Sequence, residues 1–118
     1  MSPKRGDRTA PPALPGEYTI RFATNDAAKG WEDLCRQVAS NTRTAFEAMR
    51  ANPCPSPETG RHHRLYGKLA SASQDGKVMD QWQYEVTSGG RVWYVVDHDL
   101  WNVWIKYAGT GHPKATET

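Results

Sequence analysis

Long apolar runs are missing from this 118-residue chain. No stretch approaches the roughly 20 residues of a membrane span, which excludes a helical membrane protein. Cysteine is scarce, and Cys35 and Cys54 alone do not make the framework of a secreted disulfide scaffold. There is no Gly-rich phosphate loop, no Cys-x-x-Cys pair and no HExxH helix, so nucleotide-binding and zinc-enzyme classes lack support, and no cofactor is expected. The opening MSPKRGDRTAPPALPG is basic but has no apolar h-region, which predicts a chain that stays in the cytoplasm where it is made.

Net charge is also missing where it would matter. Residues 1–16 carry Lys4, Arg5 and Arg8 against Asp7, and the remaining residues hold 12 basic and 12 acidic side chains. A neutral body does not grip bare duplex by counterion release, so any nucleic-acid function needs a local patch or a larger partner. Aromatics, by contrast, are plentiful. Twelve of them, five being Trp, supply a core for one domain of this length.

Residues 1–16 are rich in Pro and Gly with almost nothing apolar, which predicts a flexible tail ahead of a single domain over 17–113, with 114–118 as a short C-terminal tail. Tyr18, Ile20 and Phe22 alternate with polar neighbours and predict a strand. Thr24, Asn25 and Asp26 offer N-cap side chains to a helical stripe through Trp31, Leu34, Cys35, Val38, Ala45, Phe46 and Met49. Ser40, Asn41 and Thr42 are poor interior residues, so two helices, or one bent helix, are expected to join there, stopping at Asn52-Pro53. PCPSPETG then forms a loop. Strands follow over 63–69, over 81–87 after the polar turn SASQDGK, over VWYVV after the Ser88-Gly89-Gly90 hairpin, and over 103–107 after the Asp97-His98-Asp99 turn. The order predicts an α+β fold: an N-terminal strand, two helices, then a four-stranded antiparallel meander with the helices packed on one face.

Period 2 also divides the side chains between faces. With Leu65, Leu69, Trp82, Tyr84, Val86, Val92, Tyr94, Val96, Val103, Ile105 and Tyr107 toward the helices, the open face presents Arg64, Tyr66, Lys68, Gln83, Glu85, Arg91, Trp93, Trp104 and Lys106. Aromatics interleaved with cations have the composition of an RNA-binding surface; packing of the Trp residues under the tail or in a partner interface competes with that reading.

Other candidates are weaker. His62 and His63, adjacent in a strand, point to opposite faces and do not chelate one ion, so no metal is expected. Cys35 sits on the apolar helical stripe, and Cys54 has no base beside it in sequence. Glu85 has Arg91 across the hairpin, suited to a general base and equally to an ordinary ion pair. His112, after two glycines in YAGTGHPKATE, can titrate near neutral pH at the end of the open face.

HRLYGKL, Trp82 opening an alternating strand, Gly-Gly-Arg91-Val-Trp-Tyr with Asp97 at the next turn, and Tyr107-Ala-Gly109-Thr-Gly111-His112 together resemble the RelE/ParE superfamily of bacterial toxins over about residues 17–113. The resemblance implies the toxin of a type II toxin–antitoxin pair, neutralised by an antitoxin. One branch of that superfamily is a ribosome-dependent mRNA endonuclease; the other poisons DNA gyrase. It implies that Arg91 contacts the scissile phosphate, that His112 is an acid–base group, and that Arg64 and Lys68 hold the RNA backbone; the parity of the open face adds Tyr66, Trp93, Trp104 and Lys106 as RNA contacts, and the base that attack by a 2′-hydroxyl needs falls to Glu85. Pro113 stands where many members carry Arg, no C-terminal Tyr follows, and Gln83 and Glu85 replace basic residues. These departures keep a third alternative open, a binding module whose site has decayed. Trp93, Trp104 and Tyr66 are the expected antitoxin contacts.

Overall fold

Alternation at the start of the domain produces β1 (Thr19–Phe22), with Ile20 and Phe22 inward. These elements are taken from a computed structural model that describes residues 3–9 and 11–111. Thr24 ends the strand and caps α1 (Asn25–Gln37), its Oγ1 accepting from the Ala27 N–H at 2.9 Å. The chain breaks at Val38, earlier than Ser40–Thr42, and α2 (Ala39–Ala51) begins without a side-chain cap. Thr42 ties the join together: its buried hydroxyl lies 3.0 Å from the Leu34 carbonyl and 2.9 Å from that of Val38, carbonyls that also accept the backbone N–H groups of Val38 and Thr42. Asn41 ties α2 to the sheet through the Val86 carbonyl, 3.1 Å away.

After the helices come β2 (His62–Arg64), a 3₁₀ turn (Gly67–Leu69), β3 (Ser71–Gln74), β4 (Lys77–Glu85), β5 (Arg91–Asp97) and β6 (Asn102–Gly109). The sheet has six strands among the described residues, in the order β1-β6-β5-β4-β2 with β3 also on β4; only the β1–β6 pair is parallel. The fold is therefore α+β, with two helices and a mostly antiparallel sheet. The helices bury one face with Phe22, Leu34, Met49, Tyr94 and Ile105, all almost wholly excluded from water, and each such apolar side chain contributes roughly 1.5–3 kcal/mol. β5 is central and buried along nearly its whole length, as VWYVV predicts.

Several expectations need correction. The meander has five strands after the helices, not four, because SASQDGK is not simply a turn: Ser71–Gln74 pairs with Lys77–Asp80, and only Asp75 and Gly76, at φ 53° and 82°, make the two-residue turn. The strand expected over 63–69 stops at Arg64. Gly67, at φ 63°, lets the chain bulge out as a loop over 65–70 before it returns to β4, so β2 and β3 are two halves of one interrupted edge. The N-terminal stretch does not simply trail away as a tail. Gly6 and Thr9 donate to the Phe22 and Ile20 carbonyls, and Phe22 donates back to Asp7, so residues 6–9 run antiparallel along β1 and satisfy its outer edge. Among the described residues, no helix is long and apolar enough to cross a membrane.

Candidate functional site

Gln83 organises the sheet face opposite the helices. It sits in β4, pairs with Trp93 of β5 and is buried. Trp93 Nε1–H donates to Gln83 Oε1 at 2.8 Å, and Arg91 Nη1 donates to the same oxygen at 3.3 Å. Because both of those groups only donate, the amide oxygen must face them and the amide nitrogen must face His63. Gln83 Nε2 accordingly donates to His63 Nε2 at 3.4 Å, while His63 Nδ1–H donates to the Arg64 carbonyl at 2.8 Å. These two bonds set the tautomer of His63, with a proton on Nδ1. One amide links a histidine, a tryptophan and an arginine.

Arg91 also donates to the Ser88 and Gly89 carbonyls at 3.4 Å each and stands opposite Glu85 in register, as the hairpin predicts. Trp93 packs against Tyr107 with ring centroids 5.4 Å apart. Burial raises the Tyr107 pKa against the lowering effect of the Arg91 charge, so its hydroxyl stays protonated and donates to the Gly111 carbonyl at 2.9 Å. The end of the described chain is thereby drawn back beside Trp93 and Arg91. His112 lies outside the described residues.

The remaining sequence candidates divide. Trp93 lies on the expected face but is 7 % exposed and cannot serve as an open stacking or antitoxin surface. Tyr107 joins that face instead of the helix side, because a bulge between Trp93 and Tyr94 inserts Lys106 and reverses the parity of the rest of β6. Lys106 is half-buried rather than spread on an open surface, donating to Ser73 O at 2.8 Å and Gln74 Oε1 at 3.3 Å in the overlying β3. Leu65 is buried outside the helix-side core, and Leu69 belongs to the 3₁₀ turn, so neither joins that core. Arg64 is on the wrong face: its register partner is Trp82, and it pairs with Glu58 at 3.2 Å. Trp104 is half-buried, and Tyr66 and Lys68 are exposed in the 65–70 loop.

On the helix side, a cleft of about 600 Å³ runs between the 53–60 loop and the β3–β4 hairpin, lined by Cys54, Glu58, Arg64, Asp80, Trp82 and His98 among others. The fold supplies the base that Cys54 lacks in sequence, with His98 Nε2 3.9 Å from Sγ and Tyr18 OH 2.9 Å from Nδ1. Burial nonetheless pushes the thiol up to about 11, aided by the Asp80 charge, so it stays protonated and is not a nucleophile at neutral pH. No group of three metal-ligating side chains occurs among the described residues.

His62 points the other way from His63, into the core. Tyr94 OH donates to the Pro53 carbonyl, so the contact between His62 Nε2 and that hydroxyl requires His62 to donate. Burial lowers its pKa to about 4, below the ordinary value of about 6.5. The unfolded chain therefore takes up a proton at His62 that the folded chain refuses between those values, and stability falls as pH drops from about 6.5 toward 4. The expected loss is roughly 2–3 kcal/mol. Urea unfolding at pH 7 and pH 4 checks it: His62→Phe should flatten this part of the profile, and an unchanged slope would assign the pH dependence to other groups.

Neither a protein-family model nor a curated protein sequence matches the chain.

Proposed function

We propose that this chain is the toxin of a toxin–antitoxin pair, a RelE/ParE-like endoribonuclease that cleaves mRNA on the ribosome. One juxtaposition carries the proposal. Arg91, Glu85 and Gly111, the residue before His112, gather at one end of the sheet face opposite the helices, around the Gln83–Trp93–Tyr107 support. In the proposed reaction Glu85 takes the 2′-hydroxyl proton, and the 2′-oxygen attacks the neighbouring phosphorus to form a 2′,3′-cyclic phosphate. The 5′-oxygen leaves with a proton from His112, while Arg91 offsets charge on the nonbridging oxygens. Exposed Lys68 is available to the RNA backbone. The neutral body suits an enzyme that meets its substrate on the ribosome rather than one that captures free RNA by charge. The antitoxin is proposed to cover the same face through Tyr66 and Trp104.

Purified protein added to a translation reaction is expected to cut mRNA in the ribosomal A site, and His112→Ala to lower the rate by roughly 10²–10⁴-fold. An unchanged rate at saturating ribosome removes His112 from the chemistry. Loss of DNA gyrase supercoiling without mRNA cuts would assign the gyrase-inhibitor function instead, and neither effect would leave a binding module.

A further inference from the structure

We propose that Arg8 and Arg21 form a clamp for a backbone phosphate of single-stranded RNA, built where the N-terminal segment lies along β1. The two residues oppose each other across that antiparallel pairing. Thr9 N–H donates to the Ile20 carbonyl at 2.8 Å and Phe22 N–H to that of Asp7 at 3.0 Å, so the backbone bonds flank the two arginines rather than join them. Opposed residues of that kind bring their side chains closest, on one face of the sheet, with Cβ atoms about 4.5–5.5 Å apart.

Like charges directly opposite each other are destabilising, and among the described residues no carboxylate forms an ion pair with either guanidinium. Their acceptors are neutral. Arg21 donates from Nε to Asn102 Oδ1 at 3.4 Å and from Nη1 to the Gly6 carbonyl at 3.1 Å, while exposed Arg8 donates to the Thr9 carbonyl at 3.5 Å. A phosphodiester supplies the counter-charge, because its two nonbridging oxygens accept from two adjacent guanidinium forks. The surroundings favour RNA over an acidic peptide. Arg21 has Trp104 of β6 as its register partner on the other side, half-buried on the same face, so an aromatic ring for a base lies beside the cations. Exposed Lys4 and Arg5 belong to the same segment, which Arg5 N–H ties to Asn25 Oδ1 at 2.8 Å. The excess positive charge of the chain, all of it in residues 1–16, is thereby laid on one edge of the sheet. Arg91 stands opposite Gly109, and β6 rises about 3.3 Å per residue, which puts the pair roughly 17 Å from the proposed cleavage site. The clamp therefore holds a different phosphate from the one that is cut.

That the phosphate belongs to RNA rests on the endonuclease reading, whereas the clamp itself rests on the arginine pair. Fluorescence anisotropy of a labelled 2′-O-methyl RNA, which cannot be cut by 2′-oxygen attack, measures binding by the full chain across a salt series. Each phosphate contact to a single strand adds about 0.7 to the slope of log affinity against log salt, or about 5-fold in affinity per tenfold dilution. Arg8→Gln and Arg21→Gln should therefore each weaken binding about 5-fold at about 0.1 M salt and lower the slope by about 0.7. Arg8→Gln also relieves the like-charge contact, so its urea midpoint at low salt should match or exceed that of the wild type. A clear fall in that midpoint would mean that the two side chains do not oppose each other and would overturn the clamp. Unchanged affinity and slope in both variants would overturn it too, as would a polyglutamate peptide that displaces the RNA as effectively as unlabelled RNA does. The expected losses of binding in a protein that cuts no mRNA on the ribosome would uphold the clamp and remove the endonuclease.

Discussion

Arg91→Ala is expected to lower ribosome-dependent mRNA cleavage by roughly 10³-fold, the scale of losing one preorganised charge partner of a transition state. Arg91 is half-buried at the start of β5, and among the described residues it donates to the Gln83 side chain and to the Ser88 and Gly89 carbonyls, none of which lies in the helix-side core. Its loss leaves Gln83 Oε1 still bonded to Trp93 Nε1, so no buried acceptor is orphaned there. Folding should therefore change by no more than about 1 kcal/mol, near the centre of what single substitutions cost. Arg91→Lys should recover part of the rate, because it restores the charge but not the planar fork. Primer extension on mRNA from a translation reaction measures the cuts, and a urea midpoint measures the fold. Soluble, folded Arg91→Ala protein that cleaves at the wild-type rate would exclude Arg91 from the chemistry and move the site elsewhere.

The Glu85–Arg91 pairing is legible from the sequence because Ser88-Gly89-Gly90 fixes the hairpin register, and register decides which side chains oppose each other. The all-apolar VWYVV likewise identifies a strand covered on both faces. Beyond Tyr94 the parity argument fails for Tyr107, since period 2 carries no signal for the residue that the bulge inserts. SASQ reads as a turn because a rim strand has only every second side chain half-buried, and that polar pattern looks like a loop. The covering of Trp93 involves Gln83 across the β4–β5 pair and Tyr107 beside the bulge, a tertiary arrangement outside any local pattern. Gln83 leaves a fainter trace. Gln81 and Gln83 alternate with Trp82 and Tyr84 in a strand whose inner half is wholly buried, and two buried amides there imply partners to satisfy. Those partners, among them His63 20 residues upstream, emerge only from the pairing of β2 with β4.

Gly30→Ala sets two effects of opposite sign against each other. In an exposed helix the change is favourable by roughly 1 kcal/mol, because alanine loses less backbone freedom than glycine. Gly30, however, lies where α1 crosses β6, and a Cβ added there would stand 1.6 Å from the Ala108 carbonyl oxygen and 2.6 Å from its carbon. Both are backbone atoms of a strand paired on each side, so no rotamer change relieves the contact and the helix must lift off the sheet. Ala27, Ala28 and Leu34, all at 1 % exposure or less, would be separated from their neighbours by that movement. Overpacking costs roughly 1–3 kcal/mol, occasionally more, and the gaps add to it, so a net loss of about 3 kcal/mol outweighs the helical gain. Gly60 provides the control, since a Cβ added to it would meet nothing within 4 Å and its φ is not positive; Gly60→Ala should be neutral or stabilising by up to about 1 kcal/mol. The two urea midpoints should move in opposite directions or differ widely. A Gly30→Ala midpoint at or above that of the wild type would mean that α1 does not sit against β6 at this distance, and the close helix–sheet packing that shapes the buried face would have to be redrawn.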